Sequence, residues 1–234
     1  MYSSIVSMNQ KAVGILHDTR DCSMAGNLLR QGISKLEQIL YEGNDEECWD
    51  QAEDFSSTTL SVGPLVPVSA PSIRACDMGS FVLYANAMTV AETPSNVPED
   101  DCMEPREDCG NLLYSVLFYN LGLCLHLQGL STGVGSFFQQ AAEAYDTAHG
   151  TLGALERNPF VSLLELSLLN NGGHIHYHFF DRKELHTCLG LMRRALSDVD
   201  RECAWRGNLP QEFSPFTMNL FLNANNYARP APVA

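Results

Sequence analysis

Residues 170–181 read NNGGHIHYHFFD and place three histidines at alternate positions. A neutral imidazole is a good zinc ligand. If this segment is a helix, His174 and His178 share one face because they lie four residues apart, whereas His176 points elsewhere. Together with His126, the first two would make a candidate metal site of three ligands. The alternative is that His174 and His178 line a groove while His176 packs in the core.

No catalytic signature accompanies these histidines. The sequence contains no GxSxG, no Walker A motif, no HExxH and no GxGxxG after a strand. The GVG at residues 133–135 falls in a predicted turn between helices, so it is not a phosphate loop. Cys188 and His186 fall on one predicted helix without an evident oxyanion site. We therefore predict a protein that is not an enzyme and that uses no cofactor.

The composition limits the kinds of partner. The chain has 234 residues, of which 45% are hydrophobic, enough for one large domain or two small ones. A net charge of −14 argues against nucleic acid or an anionic membrane as the main partner and favours a neutral or basic protein segment. No apolar run reaches the roughly 18 residues of a membrane-spanning helix, so we predict no membrane span.

The cysteines indicate a compartment. The eight cysteines form no CxxC pair, which favours free thiols in a reducing, intracellular compartment. The N-terminus lacks the basic and apolar regions of a secretory signal. We expect a cytoplasmic or nuclear location, and an organelle stays open. Cys102 and Cys109 are the one close pair, for which a disulfide or a thiol switch is the alternative.

Apolar residues recur at helical spacing over much of the chain. In the second half of residues 5–41, apolar side chains recur at steps of three and four, which predicts one buried helical face. Asp21 or Ser23 can cap this helix, and Asn158 followed by proline begins another. Four more helices are predicted at 110–129, 134–152, 159–179 and 182–203, with Asp181-x-x-Glu184 as a capping box at the last.

Two other parts of the chain have strand-like sequence. Residues 57–90 are predicted to form a β insertion, with a proline-containing edge strand at 58–68 and a better strand at 80–90. Residues 91–109 are acidic and proline-rich, which predicts a loop. Residues 214–224 alternate apolar and polar side chains, so we predict a C-terminal strand that pairs with 80–90.

Three helix pairs share one internal pattern. A glycine on the first helix is followed on the second by small or apolar residues at regular spacing. The small residue lets the second helix lie close against the first. The glycines and their predicted contacts are Gly14 with Ala25, Leu29 and Gly32; Gly122 with Ala141, Tyr145 and Ala148; and Gly173 with Leu185, Leu189 and Met192.

This pattern resembles the tetratricopeptide repeat (TPR). LLNNGGHIHYHFFDRKELHTCLGLMRRAL resembles the repeat over nearly its whole length, and FYNLGLCLHLQG resembles its first helix. The resemblance covers residues 5–41 and 110–203, and the wider layout is similar to TPR-like proteins of diatom algae. It implies a mainly α fold: an antiparallel array of helix pairs with a small antiparallel β insertion, completed by the C-terminal strand, in a single domain over residues 1–234.

In the tetratricopeptide family, the first helices line a concave groove that binds partner segments. Asn120 and Asn171 fall at the same repeat position, where an asparagine can hold a ligand backbone with both a donor and an acceptor. The alternative is that each caps or bridges neighbouring helices. The groove residues implied by the resemblance are Lys11, Tyr119, Asn120, His126, Asn170, Asn171, His174, Tyr177 and His178.

These observations predict a non-enzymatic protein–protein interaction module that binds a partner segment through the groove. One alternative is a metal-binding protein or a small metal-dependent enzyme that uses His126, His174 and His178. A further alternative is a structural subunit of a larger assembly.

Overall fold

The computed structural model describes residues 2–42, 58–68, 81–94, 106–203 and 211–224. The predicted fold class is confirmed: the described chain is mainly α-helical and contains a small two-stranded antiparallel sheet. Its contacts divide it into two compact units. The first takes in Met1–Ser69 and Ala85–Glu156, and the second takes in Ala70–Tyr84 and Arg157–Ala234. The single domain stays a prediction.

The first unit contains two helix pairs and the sheet. Helix α1 packs on α2, α3 packs on both α2 and α4, and the second strand contacts α1 and α3. The sheet therefore lies against the first helix of each pair. The elements are α1 (Ser3–Asp18), α2 (Cys22–Glu42), β1 (Thr58–Pro67), β2 (Asn86–Pro94), α3 (Arg106–Thr132) and α4 (Gly135–Leu152).

The second unit contains one helix pair and a further helix. Helix α5 spans Pro159–His178 and packs on α6, which spans Arg182–Cys203. A short 3-10 turn, Gln211–Phe213, leads into α7, Ser214–Ala224, which contacts both α5 and α6. The short extended segment at residues 81–84 belongs to this unit.

The predicted helix starts are confirmed by side-chain caps. Asn158 Oδ1 accepts hydrogen bonds from the backbone N–H groups of Phe160 and Val161 at 2.9 and 3.0 Å. Asp21 Oδ1 accepts from Met24 N–H at 2.9 Å. Asp181 Oδ1 accepts from Glu184 N–H at 3.3 Å, while the Asp181 N–H donates to His176 O at 2.9 Å, which is the aspartate half of the predicted capping box. These caps satisfy backbone donors that the first turn of a helix leaves without partners.

The first and third helix pairs are joined by the same turn. In each, one residue with a left-handed backbone precedes the capping aspartate: Arg20 at φ 59° and Phe180 at φ 58°. The second pair has Gly133 at φ 72° after its first helix. The recurrence of this turn supports a repeated helix-pair unit.

The predicted C-terminal strand is wrong, because residues 214–224 form helix α7. The buried side chains Phe216, Asn219 and Asn223 recur at steps of three and four, which is a helical face. Met218, one of the apolar residues that made the alternating pattern, is exposed, and so is Phe221. The pattern misled because the inner face of this helix is largely polar.

The second strand begins later than predicted. Strand β2 starts at Asn86 and pairs antiparallel with β1, with Val62 opposite Val90 and Leu65 opposite Met88. The register shifts between Val62 and Leu65, where the sequence has Gly63 and Pro64. A proline has no N–H to donate to a ladder, so it is tolerated at such an irregularity.

The predicted glycine contacts hold in two of the three pairs. A Cβ added at Gly122 would lie 2.5 Å from Tyr145 Cε1, and one added at Gly173 would lie 3.6 Å from Leu185 Cδ1. At Gly14 nothing lies within 4 Å. The close packing predicted for Gly14 is therefore wrong.

Two further predictions concern α3 and the sequence before it. Most of the predicted loop 91–109 lies outside the described residues, as does Cys102, while Cys109 lies in α3. Among the residues that the structure describes, Asp108–Thr132 alone is long and apolar enough to span a membrane, with a mean hydropathy of 1.2. Because 78% of that window is buried within the fold, α3 has the character of a core helix.

Candidate functional site

Two buried asparagines hold the backbone of Met88 in the first unit. Asn120 Oδ1 accepts a hydrogen bond from Met88 N–H at 2.9 Å, and Asn120 Nδ2 donates to Met88 O at 2.7 Å. Asn120 Nδ2 also donates to Asn9 Oδ1 at 2.8 Å, and Asn9 Nδ2 donates to Met88 O at 3.1 Å. Both donors of Asn120 and its acceptor are thereby used. We call Asn9 and Asn120 the first clamp.

Further side chains bind alternate residues of the same strand. Tyr119 Oη donates to Asn86 O at 2.8 Å, and Gln10 Nε2 donates to Val90 O at 3.0 Å. In an extended chain, the polar backbone groups of alternate residues point to the same edge. That edge of β2 is bound by side chains of α1 and α3, while the opposite edge pairs with β1.

The second unit repeats the clamp on Val82. Asn219 Oδ1 accepts from Val82 N–H at 2.8 Å, and Asn219 Nδ2 donates to Val82 O at 2.7 Å. Asn219 Nδ2 also donates to Asn170 Oδ1 at 2.6 Å, and Asn170 Nδ2 donates to Val82 O at 3.1 Å. The four bonds have the same donors and acceptors as in the first unit. We call Asn170 and Asn219 the second clamp.

A third backbone contact follows two residues after Val82. Asn171 Oδ1 accepts from Tyr84 N–H at 3.0 Å, and Asn171 Nδ2 donates to Tyr84 O at 3.1 Å. The carboxamide therefore matches the donor and acceptor of a single extended residue, as Asn120 does at Met88. Both asparagines therefore use a donor and an acceptor as predicted, but the backbone that they bind is the protein's own, and the binding of a partner stays a prediction.

Aromatic side chains anchor the segment in the second unit. The Phe81 ring lies 6.1 Å from the His174 ring and 5.8 Å from the Tyr177 ring, and the Tyr84 ring lies 4.8 Å from that of Phe216. Such pairs add to the stabilisation that burial gives. The segment is thus held through the side chains of Phe81 and Tyr84 as well as through its backbone.

Burial and, to a smaller degree, the neighbouring His178 lower the pKa of His174 to about 4. Burial also lowers the pKa of His178. Desolvation disfavours the charged imidazolium, so His174 is neutral at pH 7. The third histidine of the run, His176, lies 3.6 Å from an oxygen of Asp181.

The structure places the predicted groove residues in different surroundings. Tyr119, Asn120, Asn170 and Asn171 bind the backbone of the chain's own extended segment. His174 and Tyr177 contact Phe81, and His178 is half-buried near the end of α5. Lys11 is exposed on α1. His126 is buried in the first unit, with Nδ1 3.4 Å from Tyr145 Oη and its ring edge-on to Phe138.

Three contributing residues were not predicted: Asn9, Gln10 and Asn219. A sequence signal existed for two of them. Asn9 falls on the same helical face as Ile5, Ala12 and Leu16, and Asn219 follows Phe216 by three residues. An asparagine on an otherwise buried helical face needs a polar partner, because an unpaired buried amide is costly.

The histidines do not form the candidate metal site. No group of three histidine, cysteine, aspartate or glutamate side chains that could hold a metal ion occurs within the described parts of the chain. His126 belongs to the first unit, whereas His174 and His178 belong to the second. Instead, the polar groups that converge in each unit are carboxamides on a peptide backbone.

Compared with known proteins, the chain matches no family model, no curated protein and no solved structure.

Proposed function

We propose that this protein is a non-enzymatic interaction module, built from tetratricopeptide-like helix pairs, that binds an extended segment of a partner protein. The first clamp carries the proposal, since Asn9 and Asn120 make four hydrogen bonds with one another and with the backbone of Met88. The occupant in the structure is the chain's own strand β2. A partner binds by taking the place of this strand.

The chemistry of the clamp supports such an exchange. A carboxamide reads the N–H and C=O that every residue except proline presents, whatever its side chain. A partner strand in the place of β2 makes the same bonds, so no buried polar group loses its partner in the final state. The free-energy difference between the two occupants then rests on side-chain burial and on the tethering of the resident strand.

The location of the strand supports the same proposal. Strand β2 contacts α1 and α3, the first helices of the two pairs in its unit. These are the helices that line the peptide groove in the family that the sequence resembles. The net charge of −14 favours a neutral or basic segment as the partner.

Panning a library of random 12-residue peptides on the immobilised full chain tests this function. We expect enrichment of peptides with extended, largely apolar sequences and without acidic runs. Gln10→Ala removes the side chain that binds the Val90 carbonyl, and Tyr119→Phe removes the hydroxyl that binds the Asn86 carbonyl. Both variants should therefore bind the selected peptides more weakly. Asn27→Ala, which alters an exposed asparagine of α2, is the matched control and should not. Failure to enrich any peptide above the background of the bare support would contradict the proposal.

A further inference from the structure

We infer that the first clamp accepts one class of partner: an extended segment that reads small residue, long unbranched apolar residue, any residue, β-branched residue, and that adds antiparallel to β1. This inference rests on the proposed function and deepens it. It is carried by residues 87–90 of the resident strand, which read Ala-Met-Thr-Val, and by their surroundings in the first unit.

The burial of the resident side chains defines the pattern. Ala87, Met88 and Val90 are fully buried, whereas Asn86 and Thr89 are half-buried. A fully enclosed alanine leaves no opening through which a larger side chain can extend, and overpacking a closed site destabilises it. The position of Thr89 tolerates variation because its side chain reaches solvent.

The backbone contacts add two restrictions. Met88 donates its N–H to Asn120 Oδ1, so proline cannot occupy the second position of the pattern. The register places Val66 opposite Ala87 and Val62 opposite Val90, which fixes the direction of the segment as antiparallel to β1. Tyr119 and Gln10 bind the carbonyls of residues 86 and 90, so the contacts span five residues.

The resident strand competes with any free segment. A tethered strand acts at an effective concentration on the order of millimolar, so a free peptide of equal intrinsic affinity binds the intact chain weakly. Weakening the resident strand without changing the helices should therefore raise the affinity for a free peptide. This is the measurable consequence of the inference.

The experiment uses a fluorescent peptide with the sequence of residues 85–94, ANAMTVAETP, and the full-length chain. Binding is followed by fluorescence anisotropy for the wild type and for two variants with a weakened resident strand, Ala87→Leu and Val90→Ala. We expect the peptide to bind the variants at least roughly tenfold more tightly than the wild type, because the resident competes less well. If Ala87→Leu does not fold alone, recovery of folded protein on refolding with the peptide becomes the readout, and no recovery contradicts the inference.

Two altered peptides provide the controls. One carries an N-methyl group on the Met88 nitrogen, which removes the donor to Asn120, and the other carries the Ala87→Leu change. Both should bind at least about tenfold more weakly than the parent peptide. The N-methyl peptide loses one hydrogen bond to a buried acceptor, and the leucine peptide overpacks the enclosed position of Ala87. Equal binding by the three peptides, or no gain in the Ala87→Leu and Val90→Ala chains, overturns the inference. If library peptides bind while ANAMTVAETP neither binds nor competes, the inference fails and the proposed function stands; if nothing binds, both fail.

Discussion

The two clamps use the same four hydrogen bonds in different surroundings. In the first unit, the held residue, Met88, is fully buried and lies in a strand whose other edge pairs with β1. In the second unit, the held residue, Val82, is 45% exposed and lies in an extended segment outside the sheet. A third asparagine, Asn171, adds a contact at Tyr84 there.

In the second unit, the asparagine pair therefore holds a residue that belongs to none of the strands that the structure describes. Where a strand is present, the clamp completes it by occupying the second edge. At Val82, where the described residues form no ladder, a further asparagine and two aromatic anchors, Phe81 and Tyr84, also hold the segment. The same arrangement of asparagines thus holds both a strand of the sheet, β2, and the segment at residues 81–84, which lies outside the sheet.

The largest expected effect is a loss of stability that differs between the two clamps, because Met88 is buried and Val82 is exposed. Asn120→Ala removes three hydrogen bonds and leaves the Met88 N–H unpaired in a closed interior, so we expect a loss of about 3–5 kcal/mol in the free energy of unfolding. Asn219→Ala removes the equivalent bonds but should cost less, about 2–3 kcal/mol, because water can reach the exposed Val82. Urea unfolding of the full chain measures both. Asn27→Ala is the exposed control, and an Asn219→Ala loss as large as that of Asn120→Ala would contradict the role of burial.

The second prediction concerns His174, which lies in the second unit. The pKa of His174 is about 4 in the folded protein and 6.5 in a model peptide, so the unfolded chain takes up a proton first as the pH falls. Stability should fall between about pH 7 and pH 4, by about 3 kcal/mol in total, and then level off.

Urea unfolding midpoints across this pH range measure the effect. His174→Leu should remove most of the predicted loss of stability between about pH 7 and pH 4. His17→Leu, which changes an exposed histidine of α1, should leave it in place. A His174→Leu chain that loses as much stability between pH 7 and pH 4 as the wild type would contradict the lowered pKa of His174.

The third prediction uses one glycine from the first helix of each helix pair. Alanine favours a helix over glycine by about 1 kcal/mol, so Gly14→Ala should stabilise α1, where the space is open. Gly122→Ala should destabilise by about 2 kcal/mol, because the new Cβ would lie 2.5 Å from Tyr145. Gly173→Ala should fall between them, since its nearest contact is Phe81 Cζ at 3.2 Å. Thermal unfolding of the three variants gives the order, and a stabilised Gly122→Ala would contradict the close packing of α3 on α4.

The smallest effect compares the turns of the first and third helix pairs. Arg20 and Phe180 both have φ near +60°, where glycine is favoured over other residues by about 1 kcal/mol. Arg20→Gly and Phe180→Gly should each raise the melting temperature, and by similar amounts. Phe180 is 88% exposed, so its side chain contributes little packing to offset the gain. Unequal shifts would mean that the two turns are not energetically equivalent.

Much of the helical fold could be predicted from local patterns. The spacing of apolar residues located α3 to α6, and Asn158, Asp21 and Asp181 marked helix starts, because these signals act within one or two turns. The sequence pattern also drew attention to Asn120 and Asn171, for which it left two roles open: binding an extended backbone, or capping and bridging helices. Helix α7 was missed because its buried face includes Asn219 and Asn223. A search for apolar residues at helical spacing assigns such polar residues to the solvent side.

The occupant of the clamps could not be predicted from local sequence. Asn9 binds Met88 across 79 positions of sequence, and Asn219 binds Val82 across 137. No periodicity encodes such pairings, which depend on how the helices pack. An asparagine in the middle of an apolar helix face is the one local sign that a buried polar partner must exist.

Amide hydrogen exchange at Met88, followed by NMR in the full-length wild-type chain, tests the central claim most directly. The account predicts that this amide exchanges about a thousandfold or more slowly than an unstructured one, because Asn120 Oδ1 holds its proton in a closed interior. Gln10→Ala, which removes only the contact at Val90, should leave that protection largely intact. Exchange of the Met88 amide at the unstructured rate, in a chain whose α3 amides are protected, would contradict the clamp.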